Sequence, residues 1–222
     1  MKGTQYSQKL SPRKAAEGMA AATENAVSLL SDAQLLFDNE RYERSVALAI
    51  LAIEEAGKTS ILREILVQDD PKELKRLWKD YRSHTSKNLH WKLPDLVADG
   101  ARQLEEFRPL YDKSSDHGAY LDSLKQTAFY TDAVGACEWT TPKRIVTKQV
   151  AEGILFIAKV LTHADQTMCT EPALELWLKH LKPVQGRDLL LMKQALINCY
   201  QEAEDLGIIP KGKTKDMIGF VL

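Results

Sequence analysis

The chain of 222 residues is poor in cysteine: Cys137, Cys169 and Cys199 are too few and too far apart for a disulfide framework or a zinc-ligand pattern. A reducing compartment is the expectation. Glycine and proline, at 11 and 8 residues, fall below the roughly 12% of an ordinary chain. Their scarcity argues against sandwiches, barrels and propellers, which turn often. No apolar run approaches the 18 or more residues of a membrane span, the longest being Val46 to Ile53. The opening MKGTQYSQKLSPRK has no apolar segment of a secretory signal. A soluble cytoplasmic protein with no membrane association is expected. Charge of one sign is missing too: 30 basic and 31 acidic residues leave a net charge of −1. That balance gives no global pull toward a polyanion, although a local basic site is enough to hold RNA.

What is present is helical material. Hydrophobic residues at 44% and charged residues at 27% suit one globular domain over 1–222. Residues 13–37 are rich in Ala, Leu and Glu, and Pro12 is placed to open a helix. Residues 40–67 form a second helix whose middle is apolar on every side, the mark of the centre of a bundle. Asp70-Pro71 restarts the chain, and a third helix is predicted over 71–88 from the stripe Leu74, Leu77, Tyr81, His84, Asn88. A fourth is predicted over 95–107, closed by Pro109. Ser114, Ser115, Gly118, Gly135 and Pro142 punctuate 112–143, which reads as irregular with a small hairpin or extended insertion near 128–141. Helices resume over 147–166, 171–181 and 187–206, closed by Gly207, and a loose basic tail follows at 211–215. The fold class is therefore all-α, a bundle of six to eight helices.

Searches for familiar chemistry mostly fail. Gly57-Lys58-Thr59 ends like a phosphate loop, but Ala52 stands where the first glycine belongs and the segment is helical. His84 and His90 have zinc-finger spacing without cysteine partners, and no nucleophile elbow is present. No metal and no cofactor are expected. Two charged clusters remain. In Glu54-Glu55-Ala-Gly-Lys58, Lys58 lies four residues after Glu54 and three after Glu55, so helical geometry puts all three on one side. This arrangement reads as a surface ion pair, yet the apolar turns before it carry the charges into the bundle, where they need partners. In Tyr81-Arg-Ser-His-Thr-Ser-Lys87, His84 continues the buried stripe and Lys87 lies one turn beyond it. It reads either as a core histidine or as a histidine beside Arg82 and Lys87, placed to move a proton near neutral pH while the cations hold a phosphate. If the second and third helices pack antiparallel, Glu54, Glu55, Lys58, His84 and Lys87 meet in one cleft.

The stretch Arg41-Tyr-Glu-Arg-Ser-Val-Ala-Leu-Ala-Ile-Leu-Ala-Ile-Glu-Glu-Ala-Gly-Lys58 resembles the signature of AbiV-type abortive infection proteins, which belong to the HEPN superfamily. Tyr81 to Lys87 is similar to the second motif of that family, an aromatic followed by His-x-x-Lys. Phe129-Tyr-Thr-Asp132, with Trp139 and Thr141-Pro142 after it, is similar to a third. The resemblance covers about 40–165 and implies a HEPN-like core over about 13–166, with C-terminal helices and a basic tail over 167–222. It implies a bacterial anti-phage effector that arrests translation. The mechanism implied is metal-independent RNA cleavage by a homodimer, after activation by a phage-encoded protein. The catalytic candidates are then His84, Arg82, Lys87, Lys58, Glu54 and Glu55, with Arg82 and Lys87 also binding RNA. The family's usual catalytic pattern has four to six residues between Arg and His. Here seven separate Arg76 from His84 and Arg82 from His90. Two other readings are a non-catalytic inhibitor that occupies RNA or the ribosome, and a nucleotide-sensing module of the same fold.

Overall fold

The computed structural model describes residues 4–111 and 116–221. Helix accounts for 76% of the described residues, which hold a single two-stranded sheet. Helix α1 (Pro12–Asp38) starts where predicted, with the Ser11 hydroxyl accepting from the Lys14 N–H and proline in the first turn. Its buried stripe is Ala15, Met19, Ala22, Ala26, Leu30 and Ala33. Small residues at most of these positions let it lie close along α2 (Tyr42–Val67). Helix α2 is the axis of the molecule. Its run of Val46, Ala47, Ala49, Ile50, Ala52 and Ile53 is buried on all sides, as a helix without a polar face must be.

Helix α3 (Pro71–Arg82) opens on an Asp70 cap and buries Leu74, Leu77 and Trp78. The helix expected to reach residue 88 stops here. Ser83 is extended (φ −78°, ψ 134°) and its hydroxyl accepts from the Ser86 N–H, capping a separate turn, α4 (His84–Lys87). A hydroxyl able to bond its own backbone two or three residues on competes with helix continuation. The stripe is broken there, so His84 is exposed while Asn88 is fully buried.

Further differences follow. The fourth predicted helix is only α5 (Leu93–Ala98), with Pro94 in its first turn. Gly100, at φ 106°, ends it, and Pro109 sits inside a 3₁₀ stretch, Leu104–Tyr111. The region read as irregular contains α6 (His117–Phe129), while Ser114 and Ser115 lie outside the described residues. The hairpin is where it was expected: β1 (Asp132–Val134) pairs antiparallel with β2 (Glu138–Thr140), Ala133 opposite Trp139. Helices α7 (Pro142–Ile145) and α8 (Lys148–Thr162) follow. Val146, Ala151, Ile154, Leu155, Ile157 and Ala158 then complete the main core around α2.

The C-terminal helices are α9 (Glu171–Leu181), α10 (Leu189–Asp205) and α11 (Lys213–Val221). They form a second core from Met168, Ala173, Leu176, Leu181, Ala195, Cys199, Ala203 and Ile209. Leu174 joins it to α1 and α2 by packing with Ala15, Met19, Leu62 and Leu66. The tail expected to be loose is helical from Lys213, whose ammonium holds the Asp165 carboxyl down at about 2 and ties α11 to the end of α8. Eleven α-helices among the described residues exceed the six to eight expected, because several are single turns. No helix among them is long and apolar enough to cross a membrane.

The thiols report on this packing. Burial pushes the Cys199 thiol up to about 12 and raises Cys169, while Cys137 is exposed at the hairpin tip. Mass spectrometry after alkylation of the native protein at neutral pH is expected to find Cys137 labelled first. Cys199 should label only at the rate of unfolding, since the thiolate is the reactive species. Labelling of Cys199 as fast as Cys137 would contradict the second core.

Candidate functional site

Glu54 ends the apolar turns of α2 and is 1% exposed. A carboxylate cannot be buried alone, and this one is held by three donors from two other elements. Lys125 Nζ, from α6, lies 2.5 Å from Oε1. Lys87 Nζ lies 3.3 Å from Oε2, and His84 Nδ1 lies 2.6 Å from the same oxygen, both from α4. Lys125 also reaches Asp122 Oδ1 at 2.8 Å. Lys87 and Lys125 are 6% and 4% exposed, so two acids and two ammonium groups balance inside the protein. The His84 side chain is 54% exposed and sits on the outer edge of the cluster.

The carboxylate decides which ring nitrogen carries the proton. A carboxylate oxygen accepts, so Nδ1–H is the donor, and in the neutral tautomer this selects the lone pair is on Nε2. Burial fixes Glu54, and Glu54 fixes the histidine. The arrangement can accept a proton at Nε2 and share the resulting charge with a carboxylate 2.6 Å away.

Two glycines make this contact possible. A Cβ on Gly57 of α2 would stand 2.1 Å from the Lys87 carbonyl oxygen, and one on Gly118 of α6 would stand 2.8 Å from the Thr85 oxygen. Helix α4 is thus seated between bare backbone on both sides. Asn88 donates to the Gly118 oxygen and Trp91 Nε1 to the His117 oxygen at 3.0 Å, which closes the seat. Gly57, which in sequence looked like part of a phosphate loop, has a packing role.

The structure brings Glu54, His84 and Lys87 together and leaves the other candidates apart from them. Glu55 is largely shielded from solvent and pairs with Lys58 at 2.5 Å, and the Lys58 ammonium lies over the Tyr81 ring at 5.1 Å. Lys58 therefore pairs with Glu55 and not with Glu54. Arg82 lies over Trp78 and donates to the Trp78 and Tyr6 carbonyl oxygens. Lys87, expected beside RNA, points inward. Asp122 and Lys125 escaped the sequence reading. The signal for Lys125 was there: Leu121, Lys125 and Ala128 follow the four-then-three spacing of a buried helix face. Gly118, which in the sequence reads as a break, masks it. In the third motif, the Phe129 oxygen accepts from Arg44 at 3.0 Å, and Asp132 to Thr140 forms the hairpin.

Ligand atoms of Glu54, His84 and Asp122 lie within 4.8 Å of one another, close enough to invite a metal ion. The Lys125 ammonium already bridges Glu54 and Asp122, so the positive charge such a group would attract is supplied by the chain. A family model described as AbiV, within the HEPN class, matches residues 14–163. No curated protein matches the chain, and no solved structure does.

Proposed function

Because this chain belongs to the AbiV family of HEPN domains, an abortive-infection family, we propose that it cleaves RNA without a metal ion, as a homodimer, and so arrests translation in a phage-infected cell. The observation that carries the reading is the Glu54–His84 contact, a solvent-facing histidine oriented by a buried carboxylate. His84 Nε2 takes the proton of a ribose 2′-hydroxyl as that oxygen attacks the adjacent phosphorus. The bond from phosphorus to the 5′-oxygen breaks, and the leaving oxygen takes a proton from an acid on the second copy of the chain. The products are a 2′,3′-cyclic phosphate and a 5′-hydroxyl. Glu54, Lys87 and Lys125 hold His84 in place without touching RNA. Lys58 and Arg82, which lie outside the buried cluster, are the candidates for the phosphoryl oxygens. A phage-encoded protein releases the activity.

A second reading has its own support. Lys72, Lys75 and Lys79, with Arg82, follow one another along the solvent face of α3, and the three lysines are exposed and hold no carboxylate among the described residues. Such a stripe suits occupancy of RNA or the ribosome without cutting. His84→Ala separates the two. Under the cleavage reading it reduces the rate by about 10²-fold or more and abolishes protection against phage. The melting transition should move by no more than about 1 kcal/mol of stability, since the ring is half exposed. Mapping of RNA ends in EDTA, in phage-challenged cells and with activated protein, is the measurement. A folded, normally abundant His84→Ala protein that still protects cells would end the catalytic assignment and leave the occupancy reading.

A further inference from the structure

A second polar pocket lies on the other side of Gly57. It has a volume of about 180 Å³ between α2, the 3₁₀ turn Leu89–Lys92 and the segment after α8. Its polar lining is Thr59, Ser60, Arg63, His90 and Gln166. Arg63 is the unusual member. Its guanidinium rests on the Trp177 ring at 5.2 Å and one Nη donates to Cys169 Sγ at 3.2 Å, a weak acceptor. Its Nε is buried and makes no hydrogen bond, and no described carboxylate pairs with it. Asp165, the acid whose charge reaches Cys169 alongside that of Arg63, is occupied by Lys213 at 2.6 Å and by the Thr167 N–H at 2.8 Å. His90 offers no compensation, since burial and the Arg63 charge hold it below the usual histidine range.

The rest of the lining is acceptor-rich. Gln166 Nε2 donates to the Ala164 oxygen at 3.1 Å, leaving Gln166 Oε1 buried without a partner. Thr59 and Ser60 spend their hydroxyl protons on the carbonyls of Ala56 and Gly57, so their oxygens can only accept. A neutral or cationic guest leaves Arg63 uncompensated. A fully deprotonated anion satisfies Arg63 but meets acceptors on its other side. An oxyanion that keeps a proton answers both. At roughly 30 Å³ per water, the pocket has room for about six waters, or a phosphate group with a few of them. It is well below the roughly 300 Å³ at which sites for larger ligands begin, so a whole nucleotide does not fit inside.

We propose that this pocket binds a protonated phosphate oxyanion, with Arg63 Nε–H donating to it and Gln166 Oε1 accepting its hydroxyl. Since Arg63 also carries Trp177 of α9, the bound anion would brace the C-terminal helices against α2. The proposal does not depend on the chemistry assigned to His84. The test uses the full chain, with calorimetry and thermal melting in inorganic phosphate, in sulfate of matched ionic strength, and in ribose 5-phosphate. Phosphate should bind saturably with Kd in the millimolar range or below and raise the melting temperature. Sulfate has the same shape without the proton, and should bind at least about tenfold more weakly. Binding of ribose 5-phosphate would identify a monoester as the ligand class, and its failure to bind would identify free phosphate. Arg63→Lys keeps the charge and loses the Nε–H, and Gln166→Glu repels the anion. Each should weaken phosphate binding at least about tenfold. If Arg63→Lys does not fold, Gln166→Glu alone decides. Absence of saturable phosphate binding, equal binding of sulfate, or an unchanged affinity in folded variants would overturn the proposal.

Discussion

Glu54→Ala is expected to lose about 3–5 kcal/mol of stability, the usual cost of leaving buried charge without its partner. The size of the effect comes from the charges that this fully buried side chain compensates. Lys87 and Lys125 are 6% and 4% exposed, and both ammonium groups lie on the Glu54 carboxylate. Lys125 retains Asp122, but Lys87 has no other acid within ion-pair reach among the described residues. For a chain of this length the loss corresponds to a melting temperature lower by roughly 10 °C. The decisive companion is the quadruple variant Glu54→Leu, Lys87→Met, Asp122→Asn, Lys125→Met, which removes both acids and both ammonium groups of the cluster. Replacing a buried ion network by apolar groups of similar volume is often neutral or stabilising, so most of the stability should return. Activity should not return, because nothing then orients His84. Urea unfolding and RNA cleavage on the same two proteins read both parts. A stable Glu54→Ala protein would mean that water reaches the lysines and that the cluster is not sealed.

Gly57→Ala, which adds one methyl group, should be nearly as damaging. In most helices the change is favourable by up to about 1 kcal/mol, because glycine costs conformational entropy. Here the new carbon would meet the Lys87 carbonyl oxygen at 2.1 Å, where ordinary contact begins at 3.4 Å. The oxygen is backbone and cannot swing away, so α4 has to move by more than about 1 Å, at a cost of about 1–3 kcal/mol or more. His84 moves with it. A displacement of that size at a proton-transferring group is enough to lose about 10²-fold in rate. Gly153→Ala, also in a helix and with open space at its Cβ, is the control and should hold or gain stability. Calorimetric melting and the cleavage assay check both. A Gly57→Ala protein more stable than the parent would show that α4 does not sit against α2 as described.

These two positions also show how far the sequence reaches. Local rules place the long helices well, because their causes are local. Ser11 with Pro12 and Asp70 with Pro71 cap the helices that follow them, and the spacing of Ala15, Met19, Ala22 and Ala26 sets a buried face wherever the partner lies. The family motifs mark Glu54, His84 and Lys87 as parts of one unit. Local rules fail where two signals at one residue oppose each other. Ser83 fits a helix by spacing, and breaks it by capping the next turn with its own hydroxyl. Gly118 reads as punctuation, and it is a helical residue that gives space to the Thr85 carbonyl.

The sequence by itself determined the all-α class, the central place of α2, a small hairpin or extended insertion near 128–141, and Glu54, His84 and Lys87 as candidates. Tertiary structure alone decided which charges meet. Glu54 and Glu55 are neighbours about 100° apart on a helix whose preceding turns are apolar all round, so no periodicity says which one faces α4 and α6. Burial chose Glu54 for Lys87 and Lys125, and left Glu55 to a local pair with Lys58. The second lysine comes from 71 residues farther along the chain. Its partner is set by the packing of α6 on α2, an outcome of the whole core, and the electrostatic requirement for a counter-charge acts only once water has been excluded.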